Sequence, residues 1–246
     1  MAKRDDIIVY LNDLLNINDF NDYGPQGLQV EGNPEVNRIA TAVSASVELF
    51  EQAAKSSADM IIVHHGILWE RDSHVIKGGL KKRIKILLEN DMTLLAYHLP
   101  LDKHAEFGNN ALAAKSLGLA NLQEFADVGI KGQVAPLSME TLLQKIKDLY
   151  HSDPLVFGFG PKEIARIGIC SGKADKHIAE AIDSGLHAFI TGEVSESIMH
   201  QAKEGNIHFI AAGHYATERI GIRALGEHLA QKFAVDITFI DIPNPV

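Results

Sequence analysis

Apolar and polar positions are arranged along the chain in blocks that match either a helix or a buried strand. Ile7, Ile8, Leu11, Leu14 and Leu15 recur at helical spacing, which predicts an amphipathic helix over about the first fifteen residues. After this helix, short apolar runs alternate with helical patterns of about ten residues. This alternation is typical of βαβ units and predicts an α/β fold with largely parallel sheets.

The predicted elements fall into two series that have the same order. In the first, strands are predicted at 39–43, 60–63 and 93–97, and helices at 47–55, 80–89 and 109–117. In the second, strands are predicted at 164–169, 187–190, 207–211 and 235–240, and helices at 175–183, 196–204 and 217–232. A connecting segment between them contains a predicted strand at 128–134 and a helix at 139–150. Ser46 and Ser138 are plausible N-caps of their helices.

The two series also resemble each other in residue identity. Residues 44–66 match residues 171–193 when a short offset is allowed, which sets the pair His64 and His65 opposite Gly192 and Glu193. Any two βαβ units share apolar patterning, but polar residues that recur at equivalent strand ends favour a true duplication. We therefore predict two related α/β domains, residues 1–125 and residues 126–246.

Composition and charge narrow the class of protein. The 246 residues are 46% hydrophobic and 22% charged, which is ordinary for a globular protein, and the formal net charge is −9. A protein with net negative charge binds nucleic acid or an anionic membrane poorly. The one dense basic run, at 81–85, is interpreted as the solvated face of a helix.

Cysteine content and apolar run lengths bear on the compartment. Cys170 is the only cysteine, so no intrachain disulfide can form, as expected in a reducing cytosol. It follows a predicted strand and could be a nucleophile, but the favoured interpretation is a small buried residue. The N-terminus lacks the apolar core of a signal peptide, and no stretch approaches the ~20 residues of a membrane span. We expect a soluble, cytoplasmic protein.

Imidazoles and carboxylates occur where several predicted strands end. His64 and His65 close the run M-I-I-V-H-H-G, and His98 and Asp102 lie in A-Y-H-L-P-L-D. The same histidine-to-acid spacing recurs at His214 and Glu218 in A-A-G-H-Y-A-T-E. Ligands of α/β proteins bind at the carboxyl ends of parallel strands. Pro100 argues against a helix around Asp102, which is expected on a loop, whereas His214 and Glu218 are expected to share a helical face.

These residues have the chemistry of a metal site. The candidate ligands are His64, His65, Asp102, His214 and Glu218. Five ligands are many for one four-coordinate zinc, so the favoured interpretation is two neighbouring divalent ions. Imidazole with carboxylate suits zinc, iron, manganese or cobalt better than magnesium or calcium. Two such ions would activate a water for hydrolysis.

Other polar residues have open interpretations. His98 could be a ligand, a partner of a ligand or a hydrogen-bonded core residue, and Glu193 could be a general base, a partner of a ligand histidine or a helix N-terminal carboxylate. We predict His98 and Glu193 as the catalytic proton carriers. Seven further histidines are interpreted as surface or satisfied core residues: His74, His104, His151, His177, His200, His208 and His228.

The chain resembles the Nif-three-like family, whose bacterial members are often called type 2 homologues of GTP cyclohydrolase I. The resemblance rests on G-L-Q-V at 27–30, I-I-V-H-H-G, H-L-P-L-D, T-G-E and G-H-Y-A-T-E, and it covers essentially the whole chain. One departure is Y-G-P-Q at 23–26, where the family usually has an Asp-Asn lead-in.

The resemblance implies two interlocked α/β domains with a dinuclear metal centre in the cleft between them. It implies the same five ligands, with Glu218 the expected bridge, and a ring-shaped homohexamer. The leading hypothesis is a metal-dependent hydrolase acting on a small-molecule substrate: a nucleotide, a related heterocycle or a phosphate ester. The alternative is a non-catalytic metal-binding scaffold or metallochaperone.

Overall fold

A computed structural model of the protein describes residues 1–73 and 75–246. These residues form two compact units. The first consists of Met1–Leu101 and Gly221–Ile242, and the second of Asp102–Ile220 and Pro243–Val246. His74, predicted to be an ordinary histidine, lies outside the described residues.

Strands and helices alternate through both units. The strands are β1 (Ala2–Lys3), β2 (Gly27–Val30), β3 (Glu35–Val36), β4 (Arg38–Ser44), β5 (Met60–His65), β6 (Thr93–Ala96), β7 (Ala120–Phe125), β8 (Gly129–Leu137), β9 (Leu155–Gly158), β10 (Ile164–Ile169), β11 (Ala188–Thr191), β12 (His208–Ala211) and β13 (Asp236–Phe239). The α-helices are α1 (Arg4–Leu14), α2 (Val47–Lys55), α3 (Gly78–Glu89), α4 (Leu99–Lys103), α5 (Asn109–Leu117), α6 (Met139–Tyr150), α7 (Ile178–Asp183), α8 (Ile198–Glu204) and α9 (His214–Phe233).

The sheet of the first unit has the order β13-β4-β5-β6-β2. All of its pairings are parallel except that of β2, which runs antiparallel to β6 at one edge. The central strands are buried on both faces, which explains why their sequences are continuous apolar runs. Helices α2 and α3 cover part of this core, and Ser46 caps α2 by accepting a hydrogen bond from the Leu49 amide at 3.0 Å.

The sheet of the second unit has the order β7-β8-β10-β11-β12-β9. Only β10, β11 and β12 are parallel neighbours, whereas β7, β8 and β9 pair antiparallel. The prediction of largely parallel sheets is therefore wrong for this unit. The reason is that 120–137 folds back on itself as a hairpin pair and β9 returns beside β12, so that neither needs a helical crossover.

The boundaries of the units differ from those of the predicted domains, 1–125 and 126–246. Residues 102–125 belong to the second unit and residues 221–242 to the first. The last strand, β13, pairs in parallel with β4, so the C-terminal part of the chain completes the first sheet. Each unit therefore contains residues from both predicted domains. Strand pairing determines this division, and a single boundary drawn in the sequence cannot represent it.

The predicted loop around Asp102 is a short helix, α4, so that expectation is wrong. Pro100 lies in its first turn, where a proline removes no helical hydrogen bond and its fixed φ suits the helix. No helix among the described residues is both long enough and apolar enough to span a membrane.

Candidate functional site

Three histidines meet at the carboxyl edge of the first unit's sheet. His64 and His65 end β5, and His98 follows the neighbouring parallel strand β6, so the register of the two strands brings them to one place. Their ring centroids lie 4.7 Å apart for His64 and His65, 5.0 Å for His64 and His98, and 5.4 Å for His65 and His98. One ring nitrogen from each lies within 4.8 Å of the other two, so the three form a candidate metal-binding group, here called the histidine cluster.

Each ring of the histidine cluster is oriented through Nδ1. The Nδ1 atom of His64 lies 3.0 Å from the carbonyl oxygen of Tyr97, which can only accept, so this nitrogen carries the proton and the lone pair is on Nε2. The Nδ1 atom of His65 lies 2.9 Å from the hydroxyl of Ser44 on the adjacent strand. The carbonyl contact fixes the tautomer of His64, and both contacts fix the planes of the rings, whereas the Ser44 hydroxyl can donate or accept.

The third ring is held by a carboxylate. Nδ1 of His98 lies 2.7 Å from Oδ1 of Asp22, and the other carboxylate oxygen accepts from the Leu99 amide at 2.9 Å. Burial alone would raise the pKa of Asp22, but the hydrogen bonds from His98, Leu99 and Tyr23 hold it below its usual value. His98 thus has an anionic partner at Nδ1, which fixes the orientation of its ring.

The second unit carries the other predicted ligands. Asp102, on α4, is buried, and its Oδ1 accepts two hydrogen bonds, from Asn109 at 2.8 Å and from the Ser171 hydroxyl at 2.9 Å. The Ser171 amide in turn donates to Asn110 at 2.8 Å. A carboxylate oxygen of Asp102 lies within 4.8 Å of one of Glu218. Two donors at Oδ1 thus hold the carboxylate in a fixed orientation.

His214 begins α9 and lies between two acids. Its Nδ1 donates to Oε1 of Glu193 at 2.6 Å, and its Nε2 lies 3.0 Å from Oε2 of Glu218, four residues later on the same helical face. Burial alone would lower the pKa of His214, but hydrogen bonds and charge from Glu218 and Glu193 raise it to about 9. Lys173 forms an ion pair with the other oxygen of Glu193 at 3.4 Å.

A glycine makes room for this group of side chains. Gly172 has φ +66°, and a Cβ there would lie 2.2 Å from Oε1 of Glu218 and 3.2 Å from Nε2 of His214. Its amide donates to the hydroxyl of Thr217 at 3.0 Å, which ties the loop after β10 to the first turn of α9. Only glycine combines this backbone conformation with such close approach to a buried carboxylate.

The donor set fits a divalent transition metal. Within the first unit the histidine cluster offers imidazole nitrogens, and within the second unit His214, Asp102 and Glu218 offer one imidazole and two buried carboxylates. Mixed imidazole and carboxylate ligation suits zinc, iron, manganese or cobalt. Metal ligation would also compensate for the high cost of burying the acids Asp102 and Glu218, which are 3% and 2% exposed.

The contacts of Glu193 and of Cys170 decide between the roles that the sequence left open for each. Glu193 is a hydrogen-bond partner of His214, and it is not in the first turn of α8, which begins at Ile198. Cys170 is buried, with its Sγ 3.6 Å from the carbonyl of Ala126, and burial raises the pKa of its thiol far above the usual range. It is therefore a poor nucleophile.

Several residues of the site could not be identified from the sequence. The sequence assigns no role in the site to Asp22, Ser44, Asn109 or Ser171. None has a local signal, because each acts on a residue that other parts of the fold bring to it; His98 and Asp22 are separated by 76 positions. The one available hint is that Ser44 and Ser171 follow predicted strands at the ends that also carry the histidines.

Known proteins resemble this chain over nearly its whole length. The model of the family described as Duf34/NIF3 (NGG1p interacting factor 3) matches residues 2–245. The "GTP cyclohydrolase 1 type 2 homolog" of Yersinia pestis is 46% identical over 237 residues, which is 96% of each chain. A structural-genomics protein, ybgI, of unknown function is 43% identical with a TM-score of 0.95, and a crystal structure from Thermus thermophilus is 33% identical with a TM-score of 0.94; both matches cover 100% of each chain. The chain belongs to the Duf34/NIF3 family.

Proposed function

We propose that this protein binds two divalent metal ions and uses them to hydrolyse a small-molecule substrate, a nucleotide or a related heterocycle or phosphate ester. The ligands in this proposal are His64, His65, Asp102, His214 and Glu218. The observation that carries it is the shared arrangement of the imidazoles: His64 and His214 each have Nδ1 engaged by an acceptor, which directs the lone pair of the neutral ring to Nε2.

The metal, when bound, would supply Lewis-acid activation of a water molecule near neutral pH. The residues of the chain have separate tasks. Asn109 and Ser171 orient Asp102 through its Oδ1. Glu193 holds Nδ1 of His214 and, with its second oxygen, Lys173. His98, backed by the Asp22 carboxylate, can take and return a proton through its imidazole, which is the role proposed for it in the reaction.

The name carried by the Yersinia pestis relative supports a nucleotide substrate such as GTP for this chain as well. Opening the five-membered ring of guanine requires attack by water at the carbon between its two nitrogens. A water molecule activated by a metal ion can carry out this attack. We therefore place GTP first among candidate substrates and phosphate esters second.

The hydrolase proposal is tested by turnover. The protein is stripped with chelator, reloaded separately with zinc, iron, manganese or cobalt, and incubated with GTP and with a panel of phosphate esters. Turnover that requires metal and is lost in His64→Ala and in His214→Ala supports the proposal. If no substrate is turned over by any metal-loaded form while the metal remains bound, the protein is instead a metal-binding scaffold or metallochaperone.

We further propose that the protein works as a homohexameric ring in the cytoplasm, as the family resemblance implies. Sedimentation equilibrium of the purified protein distinguishes this assembly from a monomer of 26.9 kDa. A single species of monomer mass at micromolar concentration would exclude the ring.

A further inference from the structure

Trp69 joins the histidine cluster to a neighbouring pocket of the first unit. It is the only tryptophan of the chain. Its ring lies edge-on to that of His98, with centroids 5.3 Å apart and an interplanar angle of 87°, and 6.1 Å from the ring of His65. The same residue lines a pocket of about 370 Å³. Trp69 is thus in contact with the imidazoles and with the pocket.

The walls of this pocket, here called the Trp69 pocket, are mostly apolar. They include Ile67, Leu68, Ile76 and Leu80, and two of these are well exposed for their type, Leu68 at 38% and Ile76 at 58%. Ligand pockets are typically concave and lined by apolar groups, and a few polar side chains suited to chemistry lie nearby. The exposed apolar residues beside the histidine cluster match this description. The volume is within the range of small-molecule sites, about 300–1,000 Å³.

The polar part of the lining gives the pocket a chemical preference. Two acidic residues that are exposed, Glu70 and Asp72, are among those that line it, and carboxylates accept hydrogen bonds and repel anions. An indole among aliphatic walls favours a planar aromatic ring, because bases stack on aromatic side chains. A ring that carries N–H donors satisfies both conditions, whereas a phosphate group does not.

We propose that the Trp69 pocket binds the planar nitrogen heterocycle of the substrate, with its N–H groups toward Glu70 or Asp72 and its ring against Trp69. Trp69 would then determine specificity and set the reacting part of the substrate beside the histidine cluster. This inference rests on the proposed hydrolase function and names the part of the substrate that the first unit recognises. Guanine, with N–H donors on its ring edge, matches the lining better than adenine does.

The single tryptophan provides the test. Its fluorescence is recorded while metal-free protein is titrated with guanosine, with adenosine and with ribose, and free tryptophan derivative corrects for absorption by the bases. Saturable quenching by guanosine, weaker quenching by adenosine and none by ribose are expected. Ile76→Ser should weaken guanosine binding about tenfold. Val75→Ser is the matched control, because Val75 is 62% exposed but does not line the pocket, and its affinity should be unchanged.

Three results would overturn the inference: no saturable quenching, equal effects of Ile76→Ser and Val75→Ser, or a tryptophan signal that follows protein concentration instead of guanosine. The last would mean that a second copy of the chain covers the pocket. The hydrolase proposal fails separately. GTP turnover without guanosine quenching refutes only the pocket, and quenching without any metal-dependent turnover refutes only the hydrolase.

Discussion

Nδ1 of His214 donates a hydrogen bond to Oε1 of Glu193 across 2.6 Å, joining the residues that follow the neighbouring parallel strands β12 and β11. The first unit repeats this relationship with different residues, since Nδ1 of His98 lies 2.7 Å from Oδ1 of Asp22. In both cases an acid accepts from Nδ1 and so fixes the tautomer of the neutral imidazole. Glu193 is therefore as much a part of the proposed metal site as His214, and Asp22 supports the proposed proton carrier His98.

Removal of the acid behind His214 should weaken metal binding without abolishing it. Glu193→Gln is expected to lower metal affinity about 10- to 100-fold, because the ring loses its anionic partner and becomes less basic. The measurement is metal retained per subunit during titration with a competing chelator. Glu196→Gln, an exposed acid three residues later, should retain the parental affinity, and equal losses in the two variants would refute the role of Glu193.

The hydrogen bond from Ser171 to Asp102 should likewise stabilise the protein and strengthen metal binding. Ser171→Ala removes one of the two donors to Oδ1 of this buried carboxylate and is expected to cost about 1–3 kcal/mol in the free energy of unfolding of the metal-free protein. Metal affinity should fall as well. Ser197→Ala is a suitable control, because Ser197 is exposed and makes no side-chain capping bond. Urea unfolding of the two variants checks the expectation, and an unchanged Ser171→Ala protein contradicts it.

Gly172 can be tested against a second glycine of similar backbone conformation. Gly172 has φ +66° and Gly118 has φ +79°, but a Cβ at Gly118 meets nothing within 4 Å, whereas one at Gly172 would strike Glu218. Both alanine variants should lose about 1 kcal/mol from backbone strain. Only Gly172→Ala should also release metal, because Glu218 must move. Metal content together with thermal unfolding separates the two effects, and full metal retention in Gly172→Ala would show that Glu218 is not a ligand.

The stability of the metal-free protein should fall as the pH rises through the range in which His214 loses its proton. Its pKa in the folded protein is about 9, above the usual 6.5, so the folded state binds the proton more tightly than the unfolded state does. The stabilisation is complete below pH 6.5 and is lost as the pH approaches 9. Its size is about 3 kcal/mol. Urea unfolding at several pH values measures it, and His214→Gln should flatten the profile over this window. An equally steep profile in the variant would assign the effect to other groups.

Much of the fold could be predicted because local signals agreed with it. Ser46 and Ser138 cap their helices as expected, each accepting from an amide three residues later. The apolar run that became β5 is a central strand, for which burial on both faces imposes a distinctive sequence, and in β10 the run is fully buried at 167–169. Where the signal is weak the prediction failed, as in β7, in which only Phe125 is buried.

The candidate site was predictable in part for the same reason. His64 and His65 stand out because two imidazoles at the end of a buried apolar strand are costly without partners. Their partners Ser44 and Tyr97 could not be predicted, since strand register and backbone direction decide those contacts. Asp22 likewise reaches His98 only through tertiary folding.

Metal content per subunit tests the central claim most directly, namely that His64, His65, Asp102, His214 and Glu218 bind divalent ions. Elemental analysis is made on the purified parent protein, on His64→Ala, on His214→Ala and on His200→Ala, which alters an exposed histidine outside the site. We predict about two ions in the parent and in His200→Ala, and reduced occupancy in the other two variants. A parent protein that retains no divalent metal, or variants at His64 and His214 that retain as much as His200→Ala, would contradict the account.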